Sequence, residues 1–319
     1  MTTTSRPRPP TPRVTALSAD QPSPEGLLVV DKPAGLTSHD VVARLRRVLR
    51  TRRVGHAGTL DPMATGVLVC GVGRATRLLG MLALTDKEYL ATIRLGAATT
   101  TDDAEGEVLS LAMATLTAEQ VESALAPLRG RVMQRPSSVS AIKVDGKRAH
   151  QRVRDGEDVV LAEREVTIDV LEATALRAAE LGGVAVTDVD VRVVCSSGTY
   201  VRAIARDAGQ ALGVGGHLTA LRRTRVGRYG LAGAQPLESL LADPPEEPRL
   251  MSVAEVARAE FLEVVVDGEG AALVRNGVRV RVDDGPDRGP CAVFDAFGEL
   301  LAISDVVEGR LVHRMVLCD

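Results

Sequence analysis

The chain has 319 residues, 45% hydrophobic and 25% charged, with a formal net charge of −3, which is length for about two domains at roughly 150 residues each. Three Tyr, three Phe and no Trp are too few rings for the stacking platforms that bind single-stranded nucleic acid. No apolar stretch approaches the ~18 residues that cross a bilayer, and Cys70, Cys195, Cys291 and Cys318, with no C-x-x-C pair, argue against a structural zinc or a disulfide framework; the expectation is a cytoplasmic protein.

Residues 1–25 hold six prolines among Thr and Ser, a composition that predicts a disordered tail. Gly26 to Asp31 predicts a short buried strand, and Ser38 is placed to cap a helix burying Val41, Val42, Leu45, Val48 and Leu49 at a 3.6-residue period. A Gly- and Pro-rich loop leads to a strand from Gly66 to Val72 and a helix reaching about Leu84. The Gly71-Val72-Gly73 turn between them resembles a dinucleotide fingerprint, but Thr76 stands where the third glycine belongs, so a tight strand-to-helix turn is expected. Lys87 to Leu95 alternates, setting Tyr89, Ala91, Ile93 and Leu95 on one face. Thr117 and Gln120 form a capping box for a helix to about Leu128. Between Arg131 and Asp155 lies a basic excursion with an Asp145-Gly146 turn, expected as an exposed flap. Val184 to Cys195 predicts a strand with Val189, Val191, Val193 and Cys195 on one face; Asp188 and Asp190 on the other are expected to be a solvated sheet face rather than a metal site. A helix from Thr199 to Leu212 follows, then a linker from Ala242 to Leu250. The remainder predicts short strands with one helical piece, Gly270 to Asn276, suiting a small β-barrel.

The net charge hides an uneven distribution. From residue 255 onward there are seven Arg against thirteen Asp plus Glu, leaving the rest of the chain positive by three. Within that part, residues 44–53 carry six Arg and no acid, residues 131–154 carry seven Lys plus Arg against Asp145 alone, and residues 222–228 carry four Arg. Any one stripe suits a solvated face, but three together can follow a phosphate backbone.

One loop holds a single carboxylate among unusual backbone residues: Gly55-His56-Ala57-Gly58-Thr59-Leu60-Asp61-Pro62-Met63-Ala64-Thr65-Gly66. Its glycines permit rare backbone angles and Pro62 fixes the exit direction, a way to hold an acid at the floor of an anion-binding cleft. Taken alone, the pattern suits an ordinary turn aspartate better. Asp31-Lys32-Pro33-Ala34-Gly35, Asp86-Lys87-Glu88-Tyr89, Gln134-Arg135-Pro136, Ser140-Ala141-Ile142-Lys143, Cys195-Ser196-Ser197-Gly198-Thr199-Tyr200-Val201-Arg202 and Leu221-Arg222-Arg223 accompany it in order. From about Gly26 to Leu241 the chain therefore resembles the TruB family of tRNA pseudouridine synthases, and its acidic end resembles more weakly the PUA-like domain of that family.

The resemblance implies a mixed α/β (α+β) catalytic core over residues 26–241, with 131–154 as an RNA-binding flap, 242–250 as linker and 251–319 as a small PUA-like β-barrel. It implies isomerisation of uridine 55 in the tRNA T loop, without cofactor or metal, by extruding the base, breaking its glycosidic bond and rejoining it through C5. Asp61 matches the catalytic aspartate, Arg202 the arginine that pairs with it, and Tyr89 the ring that stacks on the uracil and takes part in proton removal from C5. Tyr200 and Leu221 match pocket walls, His56 the histidine that enters the T loop where the base has left, Lys32 a brace beneath the site, and Lys143 a substrate contact from the flap. The T arm of tRNA is the expected partner, with no membrane and no protein partner, and a monomer is expected. Two alternatives remain: a pseudouridine synthase acting on another RNA, and a tRNA-folding chaperone that opens the T arm without chemistry.

Overall fold

The computed structural model describes residues 24–137, 143–144, 147–148, 161–242 and 248–318. The prolines before Pro24, the Asp145-Gly146 turn and residues 243–247 of the expected linker lie outside the described residues. Glu25, placed in the tail by composition, is tied to Arg74 at 2.8 Å.

The N-terminal strand β1 (Gly26–Lys32) is buried along nearly its whole length. Helix α1 (Ser38–Val48) is capped by Thr37 rather than Ser38: the Thr37 side chain accepts from the Asp40 amide and Asp40 returns a bond to the Thr37 amide. Ser38 is instead fully buried, and its hydroxyl serves the loop that carries Asp61. Next come β2 (Val54–His56) and β3 (Thr65–Val72), then a 3₁₀ turn, Gly73–Leu78, and a four-residue helix, Leu79–Leu82, in place of one continuous helix. Strand β4 (Lys87–Leu95) has the expected alternation, with Tyr89, Ala91, Ile93 and Leu95 inward. Helix α2 (Ala118–Leu125) begins at the predicted capping box.

The start of the basic excursion is not flap but sheet, as strand β5 (Gly130–Gln134). It pairs with β6 (Arg164–Leu181), an 18-residue strand the sequence did not announce. Two register shifts, at Ile168/Val170 and Ala173/Ala175, break the period-two pattern of β6. Strand β7 (Val184–Cys195) follows, then helix α3 (Val201–Ala211) and β8 (Gly216–Val226). Asp188 and Asp190 are not a simple solvated face: Asp188 is buried against Arg94 at 2.7 Å and Asp190 is paired with Arg177.

With β9 (Gln235–Pro236) the main sheet runs β9-β1-β3-β8-β4-β7-β6-β5, with β2 and Tyr229–Gly230 attached at the side. It is mixed: β3 and β8 run parallel, with Arg222 opposite Thr65 and Arg223 opposite Gly66, while β8 and β4 run antiparallel. Gly66 has φ +100, and a Cβ there would lie 2.1 Å from the Arg223 carbonyl oxygen. Only glycine lets β3 approach β8 that closely, and this fixes Arg223 beneath the Asp61 loop. On one face α3 packs Ile204, Ala205 and Ala208 against Ile93, Val191 and Leu218. Elsewhere α1 packs Val41 and Leu45 over Leu28 and Leu68.

A small β domain closes the chain: α4 (Leu237–Leu241) leads through the linker stretch to α5 (Val253–Glu260), β10 (Leu262–Val265), α6 (Gly268–Arg275), β11 (Arg288–Phe294), β12 (Leu300–Val307) and β13 (Arg310–Val316). Its four strands pair in sequence order. It shares a core with the main sheet, where Val256, Phe294 and Ile303 meet Leu27, Val67 and Val69.

Candidate active site

The loop from Ala57 to Ala64 joins β2 to β3, and buried side chains hold it from beneath. Ser38 Oγ accepts from the Leu60 amide at 2.8 Å and donates to the Leu60 carbonyl at 3.2 Å. Lys32, with no exposed surface, donates from Nζ to the carbonyls of Pro33 (2.9 Å), Leu36 (2.7 Å) and Pro62 (3.2 Å). From β8, Arg223 donates to the carbonyls of Val67 (2.7 Å), Thr59 (3.3 Å) and Gly58 (3.1 Å). A loop gripped at this many backbone groups presents Asp61 in one orientation, which is the preorganisation a reacting carboxylate needs.

Asp61 meets Arg202, the second residue of α3, through a two-point contact: Arg202 Nε to Asp61 Oδ2 at 3.0 Å and Nη2 to Oδ1 at 3.2 Å. The guanidinium is held from behind by the Thr101 carbonyl at 2.9 Å and by Asp103 Oδ2 at 3.3 Å. Asp103 is itself buried, its carboxylate accepting from the Thr101 hydroxyl and, at 3.0 Å, from the Glu105 amide. Burial raises the Asp61 carboxyl above the ordinary carboxylate range; Arg202 pulls it down and the neighbouring Asp103 carboxylate pushes it up again. The Asp61 side chain keeps 32% of its surface exposed, against 5% for Arg202, so the acid faces the cleft while its partner lies behind it.

In front of this pair is a cavity of about 250 Å³. Asp61, Tyr89, Tyr200, Arg202 and Leu221 all line it, bringing together four separate parts of the sequence. Gln134 at the end of β5 fixes Tyr200 from the side, accepting from its amide at 2.8 Å and donating to its carbonyl at 3.1 Å. The Arg164 guanidinium lies over the Tyr200 ring, 4.8 Å from its centre. Burial raises the Tyr89 phenol, against the pull of the Arg223 guanidinium that hydrogen-bonds it.

Lys32 lies beneath the loop and does not line the cavity. Burial pushes its ammonium down to about 8, against the opposing pull of Asp61. His56 also stands off the cavity, half-buried in β2 and edge-on to His39, with ring centres 5.5 Å apart. Burial and then the His39 charge lower it. Lys143 belongs to a two-residue strand paired with Lys147–Arg148, but its side chain lies outside the described residues.

Three residues of the site went unassigned in the sequence: Arg223, Lys87 and Asp103. Arg223 was counted in a basic stripe over residues 222–228, and the structure dissolves that stripe. Arg222 pairs with Asp31, Arg225 with Asp86 and Arg228 with Glu260, and Arg223 is 1% exposed. The signal was present in the period of two, since Arg223 follows Leu221 and Lys87 precedes Tyr89 at that interval, and all four line the cavity. By contrast, Arg44, Arg46, Arg47, Arg50, Arg52 and Arg53 are all exposed. Among the described residues no group of three His, Cys, Asp or Glu side chains is placed to hold a metal ion, and no helix is long and apolar enough to cross a membrane.

Residues 46–201 match the family model of the TruB family pseudouridylate synthase N-terminal domain, and residues 202–248 that of the tRNA pseudouridylate synthase B C-terminal domain. A protein of Streptomyces griseus subsp. griseus named tRNA pseudouridine synthase B is 56% identical over 290 residues, covering 90% of this chain and 95% of its own. One of the same name from Mycolicibacterium paratuberculosis is 64% identical over 223 residues, covering 70% and 75%. Among solved structures, one titled as a Cbf5-Nop10-Gar1 complex superposes with a TM-score of 0.67 at 25% identity, over 92% of this chain and 85% of its own.

Proposed function

Since this chain belongs to the TruB family of pseudouridylate synthases, we propose that it isomerises uridine to pseudouridine in tRNA, at position 55 of the T loop, with Asp61 acting at C1′ of an extruded nucleotide. The observation that supports this most is the two-point Arg202–Asp61 contact at the edge of a cavity walled by Tyr89, Tyr200 and Leu221. A carboxylate so held can attack or electrostatically support an electron-poor sugar carbon and then depart. Burial makes it a better base and nucleophile than a solvated carboxylate, while Arg202 keeps it ionised and aimed.

In this reading Tyr89 stacks on the flipped uracil and takes part in removing the C5 proton. Tyr200 and Leu221 close the pocket walls, Lys32 braces the loop, and His56 enters the T loop where the base has left. Lys143 reaches the RNA from the basic segment that follows β5. The exposed arginines of α1 and the segment after it, residues 44–53, track phosphates of the T arm. The catalytic unit spans residues 26–241 and the PUA-like unit 251–319, joined by 242–250, and the protein works in the cytoplasm as a monomer without a cofactor or protein partner.

The test separates binding from chemistry. With an unmodified tRNA transcript, wild-type protein is expected to convert the T-loop uridine, and Asp61→Asn to bind the transcript with similar affinity and convert none. An Asp61→Asn protein that still turns over, or that has lost RNA binding while remaining folded, contradicts the assignment.

A further inference from the structure

Among the described residues four Lys and Arg side chains are buried: Lys32, Lys87, Arg202 and Arg223. Arg202 has Asp61 and Asp103, and Lys32, beneath the Asp61 loop, spends its three Nζ protons on carbonyls. Lys87 and Arg223 instead stand in the wall of the cavity. Lys87 is 6% exposed and Arg223 1%, yet Lys87 donates to backbone carbonyls and Arg223 to backbone carbonyls and the neutral Tyr89 phenol. Among the described residues neither forms a salt bridge with a carboxylate. Isolated cations in a protein interior are expensive.

The two are also neighbours. A methyl group built on Gly58 would lie 3.6 Å from both Arg223 Nη1 and Lys87 Cε. Both line the cavity that holds Asp61 and Tyr89. Lys87 lies two residues before Tyr89 on the inward face of β4, and Arg223 is directly opposite Tyr89 across the β4–β8 ladder. Of the three Nζ protons of Lys87, two go to the carbonyls of Ala83 (2.9 Å) and Thr85 (2.6 Å), which leaves one for an occupant of the cavity.

We propose that Lys87 and Arg223 form a cationic end of the pocket that stabilises the uracil anion released when the glycosidic bond breaks, an inference that rests on uridine isomerisation being the activity. When C1′–N1 breaks, its electron pair passes to N1 and the charge spreads over O2 and O4. This holds whether C1′ gains an Asp61 oxygen or C2′ loses its proton to give a C1′=C2′ glycal. C5 of the anion then bonds to C1′, the carboxylate departs or the 2′ proton returns, the C5 proton leaves and N1 is protonated. One proton leaves C5 and another joins N1, so the composition of uridine is unchanged.

A neutral uridine gains little from two cations, whereas the developing anion gains a great deal, so the interaction strengthens along the reaction coordinate and accelerates it. Two like charges held together without a counter-ion are a site waiting for negative charge. Burial and the Arg223 charge push the Lys87 ammonium down to about 8, against Cys195 on β7 and Asp86 just before β4, so the lysine is still charged at neutral pH.

Lys87 is the residue to change, because Arg223 also carries two bonds of the Asp61 loop and one to β3. Single-turnover conversion of a T-arm hairpin is compared for wild type, Lys87→Gln and Lys87→Arg, with uridine or 5-fluorouridine at the target; fluorine stabilises the departing anion by itself. Lys87→Gln is expected to slow the uridine hairpin about 10²-fold with hairpin affinity within about threefold, to slow cleavage of the 5-fluorouridine hairpin distinctly less, and Lys87→Arg to restore most of the rate. Equal slowing on both substrates, a Lys87→Gln rate within about threefold of wild type, or no rescue by arginine overturns the proposal. A test on wild type needs no folded variant: a hairpin carrying a barbiturate C-nucleoside, anionic at neutral pH, should bind about tenfold or more tighter than one carrying neutral pseudouridine. Equal affinities overturn it. Wild type that makes no pseudouridine in the T-arm hairpin refutes the function itself, a different result from wild type that works and variants that work as well.

Discussion

Replacing Arg202 with lysine keeps the charge behind Asp61 and removes the fork. A lysine can hold one Asp61 oxygen, but it loses the second Asp61 contact at 3.2 Å and the bond to the Thr101 carbonyl at 2.9 Å. Each is a charge-assisted hydrogen bond at a group 5% exposed, worth about 1.5–3 kcal/mol. The Asp61 contact orients the reacting carboxylate, so its loss falls on the chemical step, roughly 10- to 150-fold in single-turnover rate at 1.36 kcal/mol per decade. The Thr101 contact anchors a loop to α3, so its loss appears as stability, lowering the melting temperature by about 2–4 °C for a chain of this size. The pH profile carries a second signature. Arg202 draws the Asp61 carboxyl down against burial, so a looser partner lets it rise and moves the acidic limb of the rate profile to higher pH. The assay is pseudouridine formation at saturating enzyme, with RNA affinity measured separately. A lysine variant at wild-type rate with an unmoved acidic limb, or one impaired only in RNA affinity, refutes the role assigned to the fork.

Other consequences follow from the same geometry. Asp61 has a raised pKa in the folded state, so the native protein binds more protons than the unfolded chain just above the ordinary carboxylate value, and stability falls as pH rises through that window. Asp61→Asn should flatten this part of a denaturation-versus-pH curve while abolishing turnover. Lys32 has the opposite slope: its folded value of about 8 lies below the ordinary 10.5, so above pH 8 unfolding takes up a proton and stability rises toward pH 10.5; Lys87 adds a like share, and Lys32→Met should remove about half of the rise. Gly66→Ala puts a Cβ 2.1 Å from the Arg223 carbonyl at φ +100, and should cost about 3 kcal/mol or more in urea midpoint and weaken turnover by moving Arg223. Thr37→Ala, which removes the cap of α1 far from the chemistry, should cost about 1 kcal/mol and leave the rate unchanged.

How far the sequence discloses these features depends on how local their causes are. The alternation of β4 and the capping box of α2 are properties of neighbouring residues, and both stand where the pattern puts them. The pairing of Asp61 with Arg202 joins residues 141 apart and was reached through motif resemblance, since no spacing argument connects them. Strand β6 was hidden because its two register shifts interrupt the period on which strand recognition depends. Arg223 was hidden by its chemistry: an arginine among arginines suggests a solvated surface, and only the tertiary approach of β3, permitted by Gly66, buries it. Asp103 was hidden for the same reason, its role existing only once α3 brings Arg202 alongside.

The central claim is that this pocket moves a uracil from N1 to C5 attachment at one T-loop position. Tritium release from a tRNA transcript labelled at C5 of uridine, followed by mapping of the modified nucleotide, tests it most directly. Wild-type protein should release one equivalent of tritium per tRNA with pseudouridine at position 55 alone, and Asp61→Asn should release none. Release that maps elsewhere, release that persists without the Asp61 carboxylate, or none from the folded wild-type protein contradicts the account.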